Sequence, residues 1–599
     1  RAGLRAALRQ EGLRFWALRR RRCRTSRPAK LMTLRSEGSV LVYGDGQTAL
    51  DAAAALNGRM DVSLLLRRAD DAMPPRAIDV PIHTGTIRGV SGHLGAFNLT
   101  VDGYAPMVPS ARDGFAFAMP RDGATSTCDL ILDLSGDAPL VSAPAHRDGY
   151  FAIDPAHPAA VAQALFAVTD LVGEFEKPLY VGYDAAICAH ARNGNVGCSN
   201  CLDACPAGAI APAGDHVNID PGICQGCGTC AAVCPTGAVA YAYPTRADLA
   251  RRATVLLTTY REAGGQNPVI LLHDGTHGFD MIAALSRYGR GLPANVLPLS
   301  VFSVFQVGHE VMAAMLAAGA QAVVALASPQ QADDLPGLVA QAEIVNALRL
   351  GLGYEGIGVH VIAEQDPDAV DETLRGLPGQ PPPHPPLTLS VEGTKRDLAR
   401  LAIDHFHAHA PSPQDTVALP PGAPYGQIII DQAGCTVCLS CVSACPTGAL
   451  SDHPERPQVS FTESACVQCG ICLATCPESV MRRDPRYNFM QSAMNAQVLK
   501  GEEPFDCVRC GKTFGTKSTI EAVLKRLDGH AMFRDETQRQ LIMMCDDCRV
   551  QVMAESTRDP FTLGTRPAVR TTQDYLDGEV EADVAAVDPP MRKPDDFLN

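Results

Sequence analysis

Three runs of cysteines share one spacing, C-x2-C-x2-C-x3-C-P, within a chain of 599 residues. Thiolates at these intervals are typical ligands of 4Fe-4S clusters, with three from one run binding one cluster and the fourth binding its neighbour. The runs contain Cys224, Cys227, Cys230 and Cys234, then Cys435, Cys438, Cys441 and Cys445, and finally Cys466, Cys469, Cys472 and Cys476. Chance does not produce three copies of this spacing, so the sequence predicts iron–sulfur clusters.

A fourth run departs from the spacing. Nine residues separate Cys188 from Cys198, and the last two cysteines of the run, Cys201 and Cys205, follow at shorter intervals. The regular spacing would place the first ligand at Asn195, which has no thiolate. Because four thiolates bind each of these clusters, we expect Cys188, on a lengthened loop, to replace the missing first ligand. The alternative is a three-cysteine cluster beside a structural Cys188.

The crossover rule of two-cluster ferredoxins sorts these ligands into four sets, which we name quartets. The first quartet is Cys188, Cys198, Cys201 and Cys234, and the second is Cys205, Cys224, Cys227 and Cys230. The third quartet is Cys435, Cys438, Cys441 and Cys476, and the fourth is Cys445, Cys466, Cys469 and Cys472. Each pair of quartets resembles a bacterial dicluster ferredoxin, and the stretch between its two cysteine runs is long enough for a hairpin.

Two further CxxC pairs follow, Cys507 with Cys510 and Cys545 with Cys548. Two such pairs fit a tetrahedral four-thiolate zinc site, which predicts a structural, zinc-ribbon-like module. A rubredoxin-like iron or another iron–sulfur centre has the same ligands and stays open as an alternative. Three histidines at 405, 407 and 409 are expected to form a solvated helix end, where imidazolium complements the dipole, rather than a metal site.

A weaker signal near the N-terminus is typical of nucleotide binding. Gly44, Gly46 and Ala49 occupy the positions of a GxGxxA turn between a predicted strand and a predicted helix. The acid expected about 20 residues later is absent, and Arg67 stands there instead. These four residues are the candidate site for a flavin or NADP, and a packing turn is the alternative.

Charge and composition limit the classes of partner. The net charge of -15 divides into about +10 for residues 1–31 and about -25 for the rest, and the acidity of the body argues against a nucleic-acid partner. Residues 1–31 are interpreted as a disordered or non-native leader, with a nucleic-acid-binding arm as the alternative. No apolar run is long enough to span a membrane. Clustered thiols without a signal sequence favour the cytoplasm.

The order of patterns predicts a multidomain α/β and α+β protein in which Rossmann-like α/β units are combined with the cysteine modules. The expected parts are a dinucleotide-binding-like α/β region at 36–175, a first ferredoxin module at 176–245, a parallel α/β domain at 246–376, a proline-rich linker and helix at 377–425, a second ferredoxin module at 426–485, the four-cysteine module at 486–560 and an acidic tail at 561–599. Strands and helices alternate between 253 and 376, which predicts a parallel sheet covered by helices.

Three stretches resemble the flavin-containing subunit of heterodisulfide reductases, a family of flavin- and iron–sulfur-containing electron-transfer proteins: 39–66, 86–101 and 188–206. Residues 268–327 are similar to the delta subunit of methyl-viologen-reducing hydrogenases, but lack the cysteines that hold a cluster in that family. These resemblances imply an electron relay between a dehydrogenase and an acceptor, and the cysteine layout resembles that of bacterial formate dehydrogenase systems. The alternatives are a flavin- or NAD(P)-dependent oxidoreductase and an assembly factor or scaffold for a molybdenum or tungsten enzyme.

Overall fold

The computed structural model divides the chain into two compact units, Arg1–Gly501 and Glu502–Asn599. It describes residues 30–69, 72–74, 79–109, 114–142, 147–377, 379, 382–388, 393–454, 456–528, 530, 533 and 536–555. The expectations for residues 1–29 of the leader, for part of the proline-rich linker and for the tail at 561–599 fall outside the described residues.

A mixed seven-stranded sheet occupies the start of the first unit, in the order β6-β5-β4-β3-β2-β7-β8. The elements are β1 (Leu31–Ser36), β2 (Ser39–Gly44), α1 (Gly46–Leu56), β3 (Asp61–Leu66), β4 (Ile82–His93), β5 (Ala96–Pro106), β6 (Ala124–Cys128), β7 (Leu130–Leu134), β8 (Tyr150–Ala152), α2 (Pro158–Thr169) and β9 (Gly173–Pro178). Strand β2 runs parallel to both β3 and β7, and its run of apolar residues is buried. The predicted strand and helix on either side of the glycine turn are present as β2 and α1, and β1 pairs separately with β9.

The first ferredoxin module consists of short elements around its cysteines. They are β10 (Val181–Tyr183), β11 (Ala191–Arg192), β12 (Asn195–Val196), α3 (Asn200–Asp203), β13 (Ile210–Ala213), β14 (His216–Ile219), α4 (Thr229–Val233) and β15 (Val239–Tyr241). Strands β10 and β15 pair antiparallel and join the two ends of the module, while β13 and β14 form the expected hairpin between its halves.

A four-stranded parallel sheet in the order β17-β16-β18-β19 follows. The elements are α5 (Arg246–Glu262), β16 (Val269–His273), α6 (His277–Tyr288), β17 (Val296–Ser300), α7 (His309–Ala317), β18 (Ala322–Ala327), α8 (Leu335–Gly351), β19 (Val359–Ala363), α9 (Pro367–Gly376) and α10 (Lys395–Ala408). The parallel sheet predicted from the alternation is confirmed. Every residue of α7 is buried, which is typical of a helix surrounded by other elements.

The second ferredoxin module repeats the layout of the first. Its region contains β20 (Thr416–Ala418), β21 (Gly426–Ile430), α11 (Ser440–Ala444), β22 (Leu450–Ser451), β23 (Gln458–Phe461), α12 (Ile471–Thr475), β24 (Met481–Asn488) and β25 (Gln497–Gly501). Strands β21 and β24 pair antiparallel at the ends of the module, and β22 and β23 pair between its halves.

The second unit contains a two-stranded sheet and three helices in its described residues. They are β26 (Pro504–Asp506), β27 (Thr513–Thr516), α13 (Lys517–Arg526), α14 (Glu536–Ile542) and α15 (Asp546–Glu555). Across the described parts of both units, no helix combines the length and the apolar character that a membrane crossing requires.

Two consecutive cations at the start of α10 connect the modules of the first unit. The Lys395 side chain is buried, and its Nζ donates a hydrogen bond of 2.9 Å to the carbonyl oxygen of Ala231 in α4. The Arg396 guanidinium donates hydrogen bonds of 3.0 Å to the carbonyl oxygens of Ser464 and Cys466 in the second module. One helical turn therefore binds both ferredoxin modules.

Replacing Lys395 with Met is expected to destabilise the first unit. The Nζ of Lys395 lies 3.7 Å from Oε2 of the buried Glu310, and loss of one partner leaves the other charge buried without compensation, at a cost of about 3–5 kcal/mol. The midpoint of thermal unfolding should therefore fall clearly. Arg59→Met, which removes an exposed cation from the same unit, is the control; equal midpoints for the two variants would contradict the prediction.

Candidate metal centres

The fold brings each predicted quartet of cysteines together. The first quartet, Cys188, Cys198, Cys201 and Cys234, lines one cavity. Two further spaces are lined by the second quartet, Cys205, Cys224, Cys227 and Cys230, and by the third, Cys435, Cys438, Cys441 and Cys476. In the fourth quartet, the thiol of Cys445 lies close enough to act electrostatically on Cys466, Cys469 and Cys472.

The three regular runs share a backbone conformation that the cysteine spacing does not predict. The residues immediately before and after the second cysteine of each run have positive φ: Gly226 and Gly228, Val437 and Leu439, and Gln468 and Gly470. This region costs a non-glycine residue about 1–2 kcal/mol, and a β-branched residue such as Val437 adopts it rarely. The loops keep this conformation because it curves the chain around the thiols.

Backbone and side-chain N–H groups point at the sulfurs. The backbone N–H of Ala209 lies 3.3 Å from Sγ of Cys205, and both the backbone and the side-chain amide of Gln468 donate to Sγ of Cys466, at 3.5 and 3.4 Å. Hydrogen bonds to sulfur are one of the means by which proteins set the potential of an iron–sulfur cluster.

Burial raises the pKa of several of these thiols and so favours their neutral form. It raises the pKa of Cys201 and of Cys441 to about 12, and it raises that of Cys230 well above the ordinary value. In Cys224 burial again dominates, and the backbone N–H of Gly226 offsets part of the rise in pKa. Four converging sulfurs, some of them buried, need a positively charged group to become thiolates together. This donor set fits an iron–sulfur cluster.

Comparison with known families agrees with this geometry. Residues 196–238 match one family model described as a 4Fe-4S dicluster domain, and residues 427–477 match a second model with the same description. The chain contains two 4Fe-4S dicluster domains. No curated protein matches the chain. These domains indicate an iron–sulfur electron-transfer role, and Cys188 lies N-terminal to the first matched segment.

The lengthened loop of the irregular run is a β-hairpin. Strands β11 and β12 pair across Asn193 and Gly194, whose φ values of 51° and 79° are those of a type I′ turn. At the base of the hairpin, the N–H of Gly197 donates to the carbonyl of His190 at 2.7 Å. The hairpin takes up the extra residues and leaves Cys188 in the cavity of Cys198.

The second quartet opens into a cleft of about 1080 Å³. The other wall of the cleft is formed by residues that follow the carboxyl ends of β16, β17 and β18, including Asp274, Phe302 and Ser328. This edge of a parallel sheet is where open α/β sheets bind ligands. In the third quartet Cys438 is exposed. These two quartets are thus accessible from outside.

The glycine turn near the N-terminus is engaged in internal contacts. The Arg67 guanidinium donates to Asp45 at 2.7 Å and to Asp137, and a Cβ on Gly44 would lie 3.0 Å from Leu134. The backbone N–H of Gly46 donates to the carbonyl of Arg68 at 3.0 Å, and Ala49 is buried in the core of the sheet. These contacts are those of a packing turn, and nucleotide binding at Gly44, Gly46, Ala49 and Arg67 stays a prediction.

The two CxxC pairs of the second unit converge on one point. The sulfurs of Cys507, Cys510, Cys545 and Cys548 all lie within 4.8 Å of one another, and those of Cys510 and Cys545 are 3.7 Å apart. A tetrahedral site with metal–sulfur bonds of about 2.3 Å has edges of about 3.8 Å. The geometry therefore fits a single tetrahedral ion. Both zinc and rubredoxin-like iron are bound by four thiolates in this geometry.

The remaining candidates have structural roles. His405 and His407 each contact a backbone carbonyl through Nε2, and His409 contacts the carbonyl of His405. Within the described residues no metal-type cluster includes these histidines. Burial raises the pKa of Cys128 to about 12, so its thiol is protonated at neutral pH; Cys23 lies outside the described residues.

Replacing Gly228 with Ala is expected to remove the second quartet's cluster. A Cβ at this position would lie 2.6 Å from Cβ of Gln306 and 2.8 Å from the ring of Tyr241, so the loop has no space for it. Purified protein should contain about three quarters of the cluster iron of the wild type. Gly214→Ala is the matched control, because Gly214 also has positive φ but has no neighbour within 4 Å. Full iron content in Gly228→Ala would contradict the prediction.

Removing the metal from the second unit is expected to unfold it. Apart from Ile520, the buried apolar side chains in its described residues are Met544 and the thiols of Cys507, Cys545 and Cys548. Little apolar burial therefore remains without the ion, and metal binding is coupled to folding. After treatment with a zinc chelator, amide exchange over 504–555 should approach that of an unfolded chain. Exchange in α7 serves as the control. Slow exchange over 504–555 in metal-free protein would show that the site is not structural.

Proposed function

We propose that this protein is an electron-transfer protein in which the four quartets hold four 4Fe-4S clusters, relaying single electrons between a dehydrogenase and an acceptor. The observation that carries the proposal is the convergence of the cysteines assigned from spacing. Three quartets each line a space of their own in the fold, and the four thiols of the fourth quartet lie near one another. When bound, a 4Fe-4S cluster accepts and releases single electrons at a potential set by its surroundings.

The chain's own residues hold and tune these sites. The thiols supply the ligands, and the left-handed loops aim backbone N–H groups at sulfur. Apolar side chains surround part of each site, since the cores of both modules include their own cysteines, such as Cys230 and Cys441. No general base or nucleophile is needed for such a role.

The two accessible quartets are the proposed points of exchange with partners. The cleft beside the second quartet is lined by five aspartates, Asp148, Asp274, Asp280, Asp333 and Asp334, and by Lys177. A partner that docks there is expected to present basic side chains, because complementary charge speeds association. A formate dehydrogenase is the proposed donor; this rests on the resemblance of the cysteine layout. The cytoplasm is the proposed location.

The test is a measurement of iron in protein reconstituted without oxygen. Four clusters of four irons require about sixteen iron atoms per chain, and the reduced protein should show the EPR signals of 4Fe-4S centres. Far fewer than about sixteen irons would overturn the proposal. A Cys198→Ala variant should lose about a quarter of that iron, whereas Cys128→Ala, at a cysteine outside the quartets, should lose none.

The donor is tested on the same material. Formate together with a formate dehydrogenase should bleach the visible absorption of the oxidised clusters, and formate alone should not. Bleaching by NADPH without added enzyme, together with release of a flavin on denaturation, would instead support an oxidoreductase with its own nucleotide site.

A further inference from the structure

The insertion that makes the first cysteine run irregular reaches the second ferredoxin module. Strand β12, the second strand of the hairpin, lies against α12. The contact continues into Gly197, where a Cβ would lie 2.8 Å from Cβ of Ile471 and 3.2 Å from its Cα. Ile471 is buried, with 1% of its surface exposed. The hairpin therefore packs backbone to backbone against the second module.

This contact stands directly beside ligands on both sides. Gly197 precedes Cys198 of the first quartet, and Ile471 precedes Cys472 of the fourth. The backbone N–H of Ile471 also donates a hydrogen bond to the sulfur of Cys469. The thiols of Cys198 and Cys469 are close enough to interact electrostatically. The contact residue on each side is therefore the immediate neighbour of a predicted ligand.

Within each module the two quartets share one core. Cys201 of the first quartet packs against the core that contains Cys230 of the second, and Cys441 of the third quartet lies in the same core as Cys472 of the fourth. The accessible quartets are the second, in its cleft, and the third, with its exposed Cys438. The inner position thus belongs to the first and fourth quartets.

We infer that the four quartets form a single row in the order second, first, fourth, third, and that the contact of Gly197 with Ile471 joins the two modules into one electron path. The inference rests on the proposed function, since it orders the clusters that the quartets are proposed to hold. The hairpin is the positioning element at the contact, and α10 binds both modules through Lys395 and Arg396. Electrons from a one-electron donor enter at one accessible quartet and leave at the other.

The order is tested by removing clusters in pairs. Cys227→Ala with Cys438→Ala leaves the first and fourth quartets, and Cys198→Ala with Cys469→Ala leaves the second and third. Each variant should hold about half of the cluster iron. After reduction with dithionite, the EPR signals of the inner pair should be broadened by spin–spin interaction and those of the outer pair should not. Unbroadened signals from the inner pair, or equal broadening in both, would overturn the inference.

A second comparison decides the question if those variants fail to assemble clusters. Gly197→Val in the otherwise unchanged protein should lose part of the spin–spin broadening while keeping the full iron content, because the side chain pushes the modules apart. Gly182→Val is the control, since Gly182 belongs to the same module and has no neighbour within 4 Å. Identical spectra for the wild type and both variants would overturn the inferred order of the quartets. A low iron content in the wild type would instead overturn the proposed function.

Discussion

A buried ammonium and the guanidinium beside it determine how the two dicluster domains stand to one another. Lys395 and Arg396 are consecutive, so the helix fixes the angle between them, and each donates to backbone carbonyls of a different module. The helix itself starts at a capping box in which Thr394 and Asp397 satisfy each other's backbone N–H groups. Because carbonyls are the acceptors, the arrangement depends on main-chain positions in the modules. Changes of surface side chains in the modules leave it in place.

Burial of the thiols links the assembly of the cofactors to the stability of the modules. Each module is too small to have a core that excludes its own cysteines, and Cys230, Cys234, Cys441 and Cys472 belong to the cores. Burial raises the pKa of three of these, so without a positive group the sulfurs remain neutral thiols. The left-handed conformations of Val437 and Leu439 add strain of about 1–2 kcal/mol each. The assembly of the clusters and the stability of the modules are therefore coupled.

The four quartets and the parallel sheet could be predicted from the sequence, because cluster ligation sets the spacing of the cysteines. Three thiolates a few residues apart fix the local loop, and the alternation of strands and helices predicts the parallel sheet. The contact between Gly197 and Ile471 could not be predicted, because no periodic pattern connects residues so distant in the chain. The hairpin could have been predicted, since Asn193-Gly194 is a strong turn signal. The cysteine spacing alone predicts only a lengthened loop. The sequence makes Arg67 a candidate for nucleotide binding because it stands where the fingerprint has an acid, whereas in the fold its guanidinium is paired with Asp45 and Asp137.

The longer loop of the irregular run has two structural roles: it positions a ligand, and it contacts the other module. Extending the spacing from two residues to nine adds about 1 kcal/mol of loop-closure entropy. The type I′ turn reduces this cost, since its twist matches that of the paired strands. In return the loop keeps Cys188 in the first cavity and places Gly197 against a helix of the other module. The residues that the insertion adds before position 195 pair with Asn195 and Val196 to form β12, so the same insertion that obscures the motif forms the strand that lies against α12.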